Sequence, residues 1–218
     1  MPSHSEENYL KALYNLTDGA GETTINELSK QLENKMPSVN SMVKRLAEKG
    51  YVKYESYKPI KLTAAGHKEA ALIVRKHRLT EMFLVEKMGF GWEEVHQIAE
   101  QMEHIKSPRF FEKMDELLGH PTTDPHGSPI PGRDGTVQAR AYLPLSGCRP
   151  GDRVVFKAVA HSSQELLEYL NAKDLQLGII IEVVRVEGFD GSMVISYAGA
   201  GNETLSEKVS HKILVEKA

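Results

Sequence analysis

Cysteine is almost missing from this 218-residue chain. Cys148 stands alone, so no disulfide can form within the chain and a disulfide-stapled scaffold is excluded. Long apolar runs are missing too, and nothing approaches the roughly 18 residues that a membrane-spanning helix needs. The opening Met1-Pro-Ser-His-Ser-Glu-Glu has neither the basic n-region nor the apolar h-region of a secretory signal. These absences lead to the expectation of a soluble, cytoplasmic protein. There is no internal repeat and no low-complexity tract. Nor does one sign of charge dominate: 27 Lys and Arg stand against 30 Asp and Glu, a net −3, in a chain that is 40% hydrophobic and 26% charged. That composition is globular. The total neither supports nor excludes a nucleic-acid partner.

Divided along the chain, the charges say more. Residues 1–65 carry nine Lys and Arg against eight Asp and Glu, net +1. Residues 66–120 carry eight against ten and hold five of the nine histidines, and residues 121–218 carry ten against twelve. An acidic, histidine-rich middle is where a divalent cation would settle and offset the charge.

The periodicity predicts a chain that is mainly α with some β. A first helix is expected over Ser5–Leu16, with Leu10, Leu13 and Tyr14 at helical spacing and Gly19 beyond its end. Thr24-Ile-Asn-Glu27 has the form of a capping box and opens a second helix, with Ile25, Leu28 and Leu32 on one stripe. A third runs from Pro37, a favoured first-turn residue, to Lys49, and stops at Gly50. Tyr51–Glu55 and Ile60–Thr63 alternate around Ser56-Tyr-Lys-Pro59, which predicts a hairpin. Three helices followed by a two-stranded wing describe an N-terminal winged helix-turn-helix domain over 1–65. An all-helical domain over 66–120 follows, with helices expected at Ala64–Met88, Trp92–Ile105 and, behind Ser107 as N-cap, Pro108–Leu118. Proline, glycine and aspartate then mark a linker over 121–148. Short β-like runs at Arg153–Val159, Gly178–Val186, Ser192–Tyr197 and Lys212–Val215, with one helix at Ser163–Leu170, predict a small C-terminal β-barrel over 149–218.

The third helix has two faces. Val39, Met42, Val43 and Leu46 form the apolar one; Ser38, Asn40, Ser41, Lys44 and Arg45 form the other. Short hydrogen-bonding side chains near a helix N-terminus suit base edges in a major groove, and Lys44 and Arg45 suit phosphates one turn later. Lys53, Lys58 and Lys61 of the wing could reach a flanking backbone. The competing reading is a solvated amphipathic face.

The helix expected at 92–105 places His96, Glu100, Glu103 and His104 on an arc roughly 100° wide, beside a stripe of Val95, Ile98, Ala99, Met102 and Ile105. Carboxylates and imidazoles bordering a buried stripe need pairing or a metal. The preceding helix adds His77 and Glu81, again i and i+4. Three imidazoles and three carboxylates make the ligand set of a first-row divalent ion, and oxygen-rich sets with imidazole favour Mn(II) or Fe(II). Cys148 lies far off in the β segment, so no thiolate takes part; Zn(II) or Co(II) could still bind in vitro. The competing reading is a surface face of solvated Glu with occasional salt bridges.

These motifs resemble one family. Val74-Arg-Lys-His-Arg-Leu-Thr-Glu-Met-Phe-Leu84, Val95-His96 and Glu100-Gln-Met-Glu-His104 are similar to the metal-binding core of the diphtheria toxin repressor family of iron- and manganese-dependent regulators. Asp124-Pro-His-Gly-Ser-Pro-Ile-Pro-Gly132 resembles its interdomain linker, and Asn34-Lys-Met-Pro-Ser-Val-Asn-Ser41 its recognition-helix entry, which adds Lys35 and Pro37 to the expected DNA-contacting residues. The C-terminal runs resemble its SH3-like (FeoA-type) domain. The resemblance implies two metal sites per subunit: Glu100, Glu103 and His104 with a first-helix ligand in one, and His77, Glu81 and His96 in the other. His161 and Gln164, or Glu165 in place of Gln164, are the nearest match to a contribution from the SH3-like domain. Position 100 is Glu, as in manganese-type members, where iron-type members have Cys. The first-helix ligand is usually Asp or Met, and here Asn8 stands at that place; Glu7 beside it is expected to point elsewhere on the helix.

The expected function is that of a metalloregulatory repressor: metal joins the first helix to the 92–105 helix, a homodimer sets two recognition helices on an operator, and divalent-metal uptake genes are shut off. Two rivals are weighed beside it. One is a constitutive winged-helix regulator with structural histidines. The other is a dinuclear metallohydrolase, against which stand the absence of a His-Glu-x-x-His motif and an N-terminal third without a purpose.

Overall fold

A computed structural model describes residues 2–17, 21–56, 58–138 and 140–218. The expected helix stop at Gly19, and Tyr57 in the expected hairpin turn, lie outside the described residues. Contacts divide the chain into two units: Met1–Thr80 with Ala99–Thr122 and Ile130–Gln138, and Glu81–Ile98 with Thr123–Pro129 and Ala139–Ala218. No helix among the described residues is long and apolar enough to cross a membrane.

The first unit opens with helix α1 (His4–Thr17). Its N-terminus is closed reciprocally: the Ser3 N–H donates to the Glu6 carboxylate at 2.8 Å, and the Glu6 N–H to the Ser3 hydroxyl at 3.4 Å. Helix α2 (Ile25–Gln31) carries the capping box read at Thr24 and Glu27. Helix α3 (Met36–Glu48) has its proline in the first turn. The wing is shorter than expected, two residues in each strand: β1 (Val52–Lys53) pairs antiparallel with β2 (Lys61–Leu62), Val52 opposite Leu62. Thr63 then joins two helices. Its hydroxyl donates to the Gly50 carbonyl just past α3, at 2.6 Å, and accepts the Gly66 N–H at the head of α4 (Ala64–Met88). Gly66 is needed there, because a Cβ would stand 1.8 Å from the Tyr51 carbonyl oxygen. Leu10 and Leu13 of α1, Leu28 of α2, and Val39, Val43 and Leu46 of α3 are all buried in one core, so the apolar stripes read from the sequence face inward.

Helix α5 spans Val95–Met102, shorter than the helix expected at 92–105. Gly91–Glu94 instead closes as a turn, with the Glu94 N–H on the Gly91 carbonyl at 3.1 Å. Glu103 and His104 fall in the turn after the helix, where the Ile105 N–H returns to the Met102 carbonyl at 3.0 Å. Helix α6 (Pro108–Leu117) follows Ser107, which sits at the N-cap position but whose hydroxyl makes no capping bond. Asp115 of α6 is buried and gathers Arg75 of α4 at 2.8 Å, and Arg133 and His120 at 3.1 Å each. Arg75 also donates to the Pro131 carbonyl at 2.7 Å. The segment 130–138, expected to be linker, is thereby fastened within the first unit.

The second unit holds a six-stranded antiparallel sheet: β3 (Leu143–Pro144), β4 (Arg153–Val159), β5 (Ile180–Val186), β6 (Met193–Tyr197), β7 (Ala200–Leu205) and β8 (Ile213–Lys217), in the order β3-β8-β4-β5-β6-β7. No ladder joins β3 to β7 among the described residues, so the expected barrel is an open sheet here. Helices α7 (Gln164–Asn171) and α8 (Glu207–Ser210) are capped by the Ser163 and Ser206 hydroxyls. Phe156, Leu170, Leu175, Ile181 and Ile195 fill the core. Residues 123–129 form a knot against β4 rather than a loose tether. Asp124 Oδ1 accepts the N–H groups of His126 and Ser128, both at 2.9 Å, and the Val159 N–H donates to the His126 carbonyl. Gly127 has φ 85°, and a Cβ there would stand 2.1 Å from the Lys157 carbonyl oxygen, so only glycine fits.

The Asp115 cluster yields a stability prediction. Burial alone would raise the Asp115 carboxyl, but hydrogen bonds from His120 and Arg133 and the Arg75 charge together hold it below its ordinary value. Asp115→Ala strands the Arg75 guanidinium and is expected to cost about 3 kcal/mol in urea unfolding. A lowered folded value means that the carboxylate's contribution is full above the unfolded value, near about pH 4, and is lost as pH falls through the folded one. The wild-type advantage over the variant therefore shrinks in acid and is constant around neutrality.

Candidate metal centre and DNA-reading face

In the first unit, α1 and the turn after α5 bring acids and imidazoles together. Glu103 is fully buried; the His77 Nδ1–H donates to its Oε2 at 2.6 Å, and Lys11 Nζ donates to the same oxygen at 2.9 Å. Its Oε1 is 2.8 Å from Lys11 Nζ, without the angle of a hydrogen bond. Lys11 Nζ also donates to Glu100 Oε2 at 2.5 Å. Burial opposes ionisation of Glu103, yet the His77 hydrogen bond and the Lys11 charge outweigh it and hold the carboxyl below its usual value. His104 Nδ1 is 2.6 Å from Glu7 Oε2, and the His4 ring stacks on the His104 ring with centroids 4.6 Å apart. Glu7 thus does not point away as its helical position implied. His104 sits in a turn and not on α5, and from there its ring meets Glu7.

Asn8 Oδ1 is buried and takes no hydrogen bond among the described residues. An unsatisfied buried amide oxygen costs roughly 1–3 kcal/mol, and a cation would satisfy it. Glu7, Asn8, Glu100, Glu103 and two imidazoles form an oxygen-and-nitrogen donor set without sulfur, which fits a hard or borderline divalent ion.

A second group lies in the second unit. Glu81 is buried on α4, with His96 Nδ1 3.1 Å from its Oε1 and His126 Nδ1 3.8 Å from its Oε2. Glu81, Asp124 and His126 present ligand atoms that lie within 4.8 Å of one another, and all three residues are buried. The His126 Nε2 is 2.8 Å from the Trp92 carbonyl oxygen. A carbonyl can only accept, so Nε2 carries a proton and Nδ1 is the nitrogen that faces Glu81. At 3.8 Å that pair is too long for a hydrogen bond and wide enough for an ion between the two atoms. Sequence reasoning missed Asp124 and His126. Their signal, an Asp-x-His spacing, was absorbed into the turn chemistry of the expected linker. His161, at φ 51°, is exposed and joins neither group, and nor does Glu165; Gln164 donates to Glu168 on its own helix at 2.9 Å.

On α3, Lys35, Pro37, Ser38, Ser41, Lys44 and Arg45 are exposed. Asn40 is half-buried, and its Oδ1 accepts the Tyr54 hydroxyl at 2.6 Å, which ties the helix to the chain just past β1. Arg45 remains 57% exposed while its Nε meets the buried Glu6 at 2.9 Å; Lys49 reaches the same carboxylate at 2.7 Å. Burial pushes the Glu6 carboxyl up, but Lys49, the Ser3 N–H and the Arg45 charge prevail and hold it low.

Known families match almost end to end. Residues 1–60 match the iron dependent repressor N-terminal DNA-binding domain, residues 63–132 the iron dependent repressor metal-binding and dimerisation domain, and residues 143–217 the FeoA domain. The iron-dependent repressor IdeR of Mycobacterium leprae is 28% identical, over 97% of this chain and 96% of that protein. A solved manganese-dependent transcriptional repressor in complex with manganese is 29% identical, with TM-score 0.90, over 98% of this chain and 100% of that one. The structure of ScaR with bound Zn2+ is 32% identical, with TM-score 0.82, over 100% of both chains. The chain belongs to the family of iron-dependent and manganese-dependent transcriptional repressors.

Proposed function

We propose that this repressor responds to Mn(II) in preference to Fe(II) and, when the metal is plentiful, binds an operator in the cytoplasm as a homodimer to shut off divalent-metal uptake genes. One observation carries the reading. Two adjacent buried residues of α1 face different partners: Glu6 holds Arg45 and Lys49 at the end of the DNA-reading helix, and Glu7 holds His104 of the acidic cluster. A bound divalent ion would supply two positive charges to that cluster. Asn8, Glu100, Glu103 and His104, with Glu7 and His77, would hold it; Glu81 and His96, with Asp124 and His126, would hold a second. Fixing Asn8 and Glu7 fixes α1, and through Glu6 the pose of α3. Lys35, Pro37, Ser38, Asn40, Ser41, Lys44 and Arg45 would then meet the duplex. Such a shift requires the ion to bind the DNA-competent pose more tightly, and DNA must tighten the ion reciprocally.

The preference for manganese rests on Glu100, an oxygen where iron-type members carry a thiolate, and on sulfur-free donor sets throughout. Dimer formation is supported by Phe110 and Leu117, large apolar residues left exposed on α6 within the stretch that matches the dimerisation domain. The functional boundaries proposed are 1–65 for DNA, 66–120 for metal and dimerisation, 121–148 for the connection and 149–218 for the FeoA-type domain. The hydrolase reading is dropped, because the matched relatives are transcriptional repressors.

The test is fluorescence anisotropy with a duplex selected by the Mn(II)-loaded protein. Apo protein should bind it on the order of 5–150-fold more weakly, the range of ordinary allosteric coupling. Equal binding with and without Mn(II) would establish the constitutive regulator instead. Glu103→Gln is expected to lower Mn(II) affinity by about 10–100-fold and to remove the response of DNA binding. Glu6→Gln should leave the Mn(II) titration within about threefold of wild type, since Glu6 faces α3 and not the cluster, while shrinking the Mn(II)-induced gain in DNA affinity by at least about fivefold. A Glu6→Gln protein with full metal response would disconnect α1 from the switch.

A further inference from the structure

Lys11 sits on α1 one turn beyond Asn8, at the i+3 spacing that shares a helix face. Its ammonium is enclosed by three carboxylate oxygens: Glu100 Oε2 at 2.5 Å and the two oxygens of Glu103 at 2.8 and 2.9 Å. The Lys11 side chain is only 13% exposed, and that of Glu103 is fully buried. A surface salt bridge is solvated; here Glu100 is 40% exposed, but the Lys11–Glu103 half of the network is withdrawn from solvent. The charge has been placed where carboxylates converge, and Lys has no acceptor with which to join a ligand set.

An ion bonded to the same oxygens, at roughly the 2.0–2.2 Å of metal–oxygen contacts, would stand within a few ångströms of Nζ. Two cations that close, beside a fully buried carboxylate, repel strongly. The ion and the ammonium cannot both keep the Glu100–Glu103 pair.

Building on the metal-responsive reading above, we propose that Lys11 is a built-in competitor for the metal: its ammonium fills the Glu100–Glu103 pair, loading the site exchanges one cation for another, and Lys11 thereby sets the free Mn(II) level at which repression begins. Two consequences follow from one charge. Without metal, Lys11 neutralises the buried Glu103 and stabilises the fold. With metal, it is the group that must leave, and its four-carbon stem lets it swing away without moving α1.

The experiment is calorimetric titration of Mn(II) into the metal-stripped full-length protein, comparing wild type, Lys11→Met and Lys11→Arg, with thermal melting of each in chelator and in Mn(II). Lys11→Met keeps the stem and loses the charge. It should bind Mn(II) about tenfold more tightly or better, a gain of about 1.4 kcal/mol. In chelator it should melt below wild type, and Mn(II) should raise its melting temperature by more than it raises that of wild type. Lys11→Arg keeps the charge and should stay within about threefold of wild type in Mn(II) affinity. A folded Lys11→Met protein that binds Mn(II) no more tightly than wild type overturns the proposal and leaves the repressor reading standing. Wild-type protein that binds no Mn(II) overturns both. If Lys11→Met does not fold without metal, Lys11→Gln takes its place in the same titration and is judged by the same outcomes.

Discussion

Charge neutralisation inside a small helical unit is the constraint on which the rest depends. Glu6, Glu7 and Glu103 are all buried, and a buried carboxylate without partners is intolerable. Each is answered from a different element: Glu6 by α3, Glu7 by the turn after α5, Glu103 by α1 and α4. The ion pairs therefore hold the arrangement of four segments, and not one contact. Buried pairs of this kind add little net stability compared with apolar packing, but they are costly to break singly. They suit a device that must keep a definite geometry and still be able to change it.

The N-terminal unit was largely legible from residue spacing. Helix α4 runs from Ala64 to Met88 as the periodicity indicated, and the Thr24–Glu27 box is formed as written. These signals are local, set by neighbours three or four positions away. The errors arise where local and distant demands part. Glu103 and His104 continue the helical spacing of α5, yet the chain leaves the helix after Met102, and spacing alone cannot show that a turn serves Glu7 better. Glu7 meets His104 across 97 positions, a separation on which helical periodicity is silent. Strand β7 reads Ala-Gly-Asn-Glu-Thr-Leu, without apolar alternation, and owes its pairing to β6.

Of the candidate ligands, those that continue the helical spacing of α4 and α5 are legible in the sequence, Glu103 and His104 in the turn after α5 included, and those in the 123–129 turn are not. His77, Glu81, His96 and Glu100 come from α4 and α5. Asp124 and His126 come from a proline- and glycine-rich stretch whose turn chemistry predicts a linker. That stretch is instead held by Asp124's bonds to the backbone and by the close approach of Gly127 to β4. Turn-forming residues fix a chain as firmly as a helix does when each backbone group has a partner.

The Trp92 carbonyl constrains His126 independently of the side chain at position 92. It is main chain, so it decides which nitrogen of His126 bears hydrogen whatever residue occupies position 92. The indole itself stacks on the imidazole, with centroids 5.9 Å apart, and donates its N–H to Asn171 Oδ1 at 2.7 Å. A lineage could exchange that tryptophan for another residue, shedding the stacking and the Asn171 hydrogen bond, and still hand on the same proton position at Nε2.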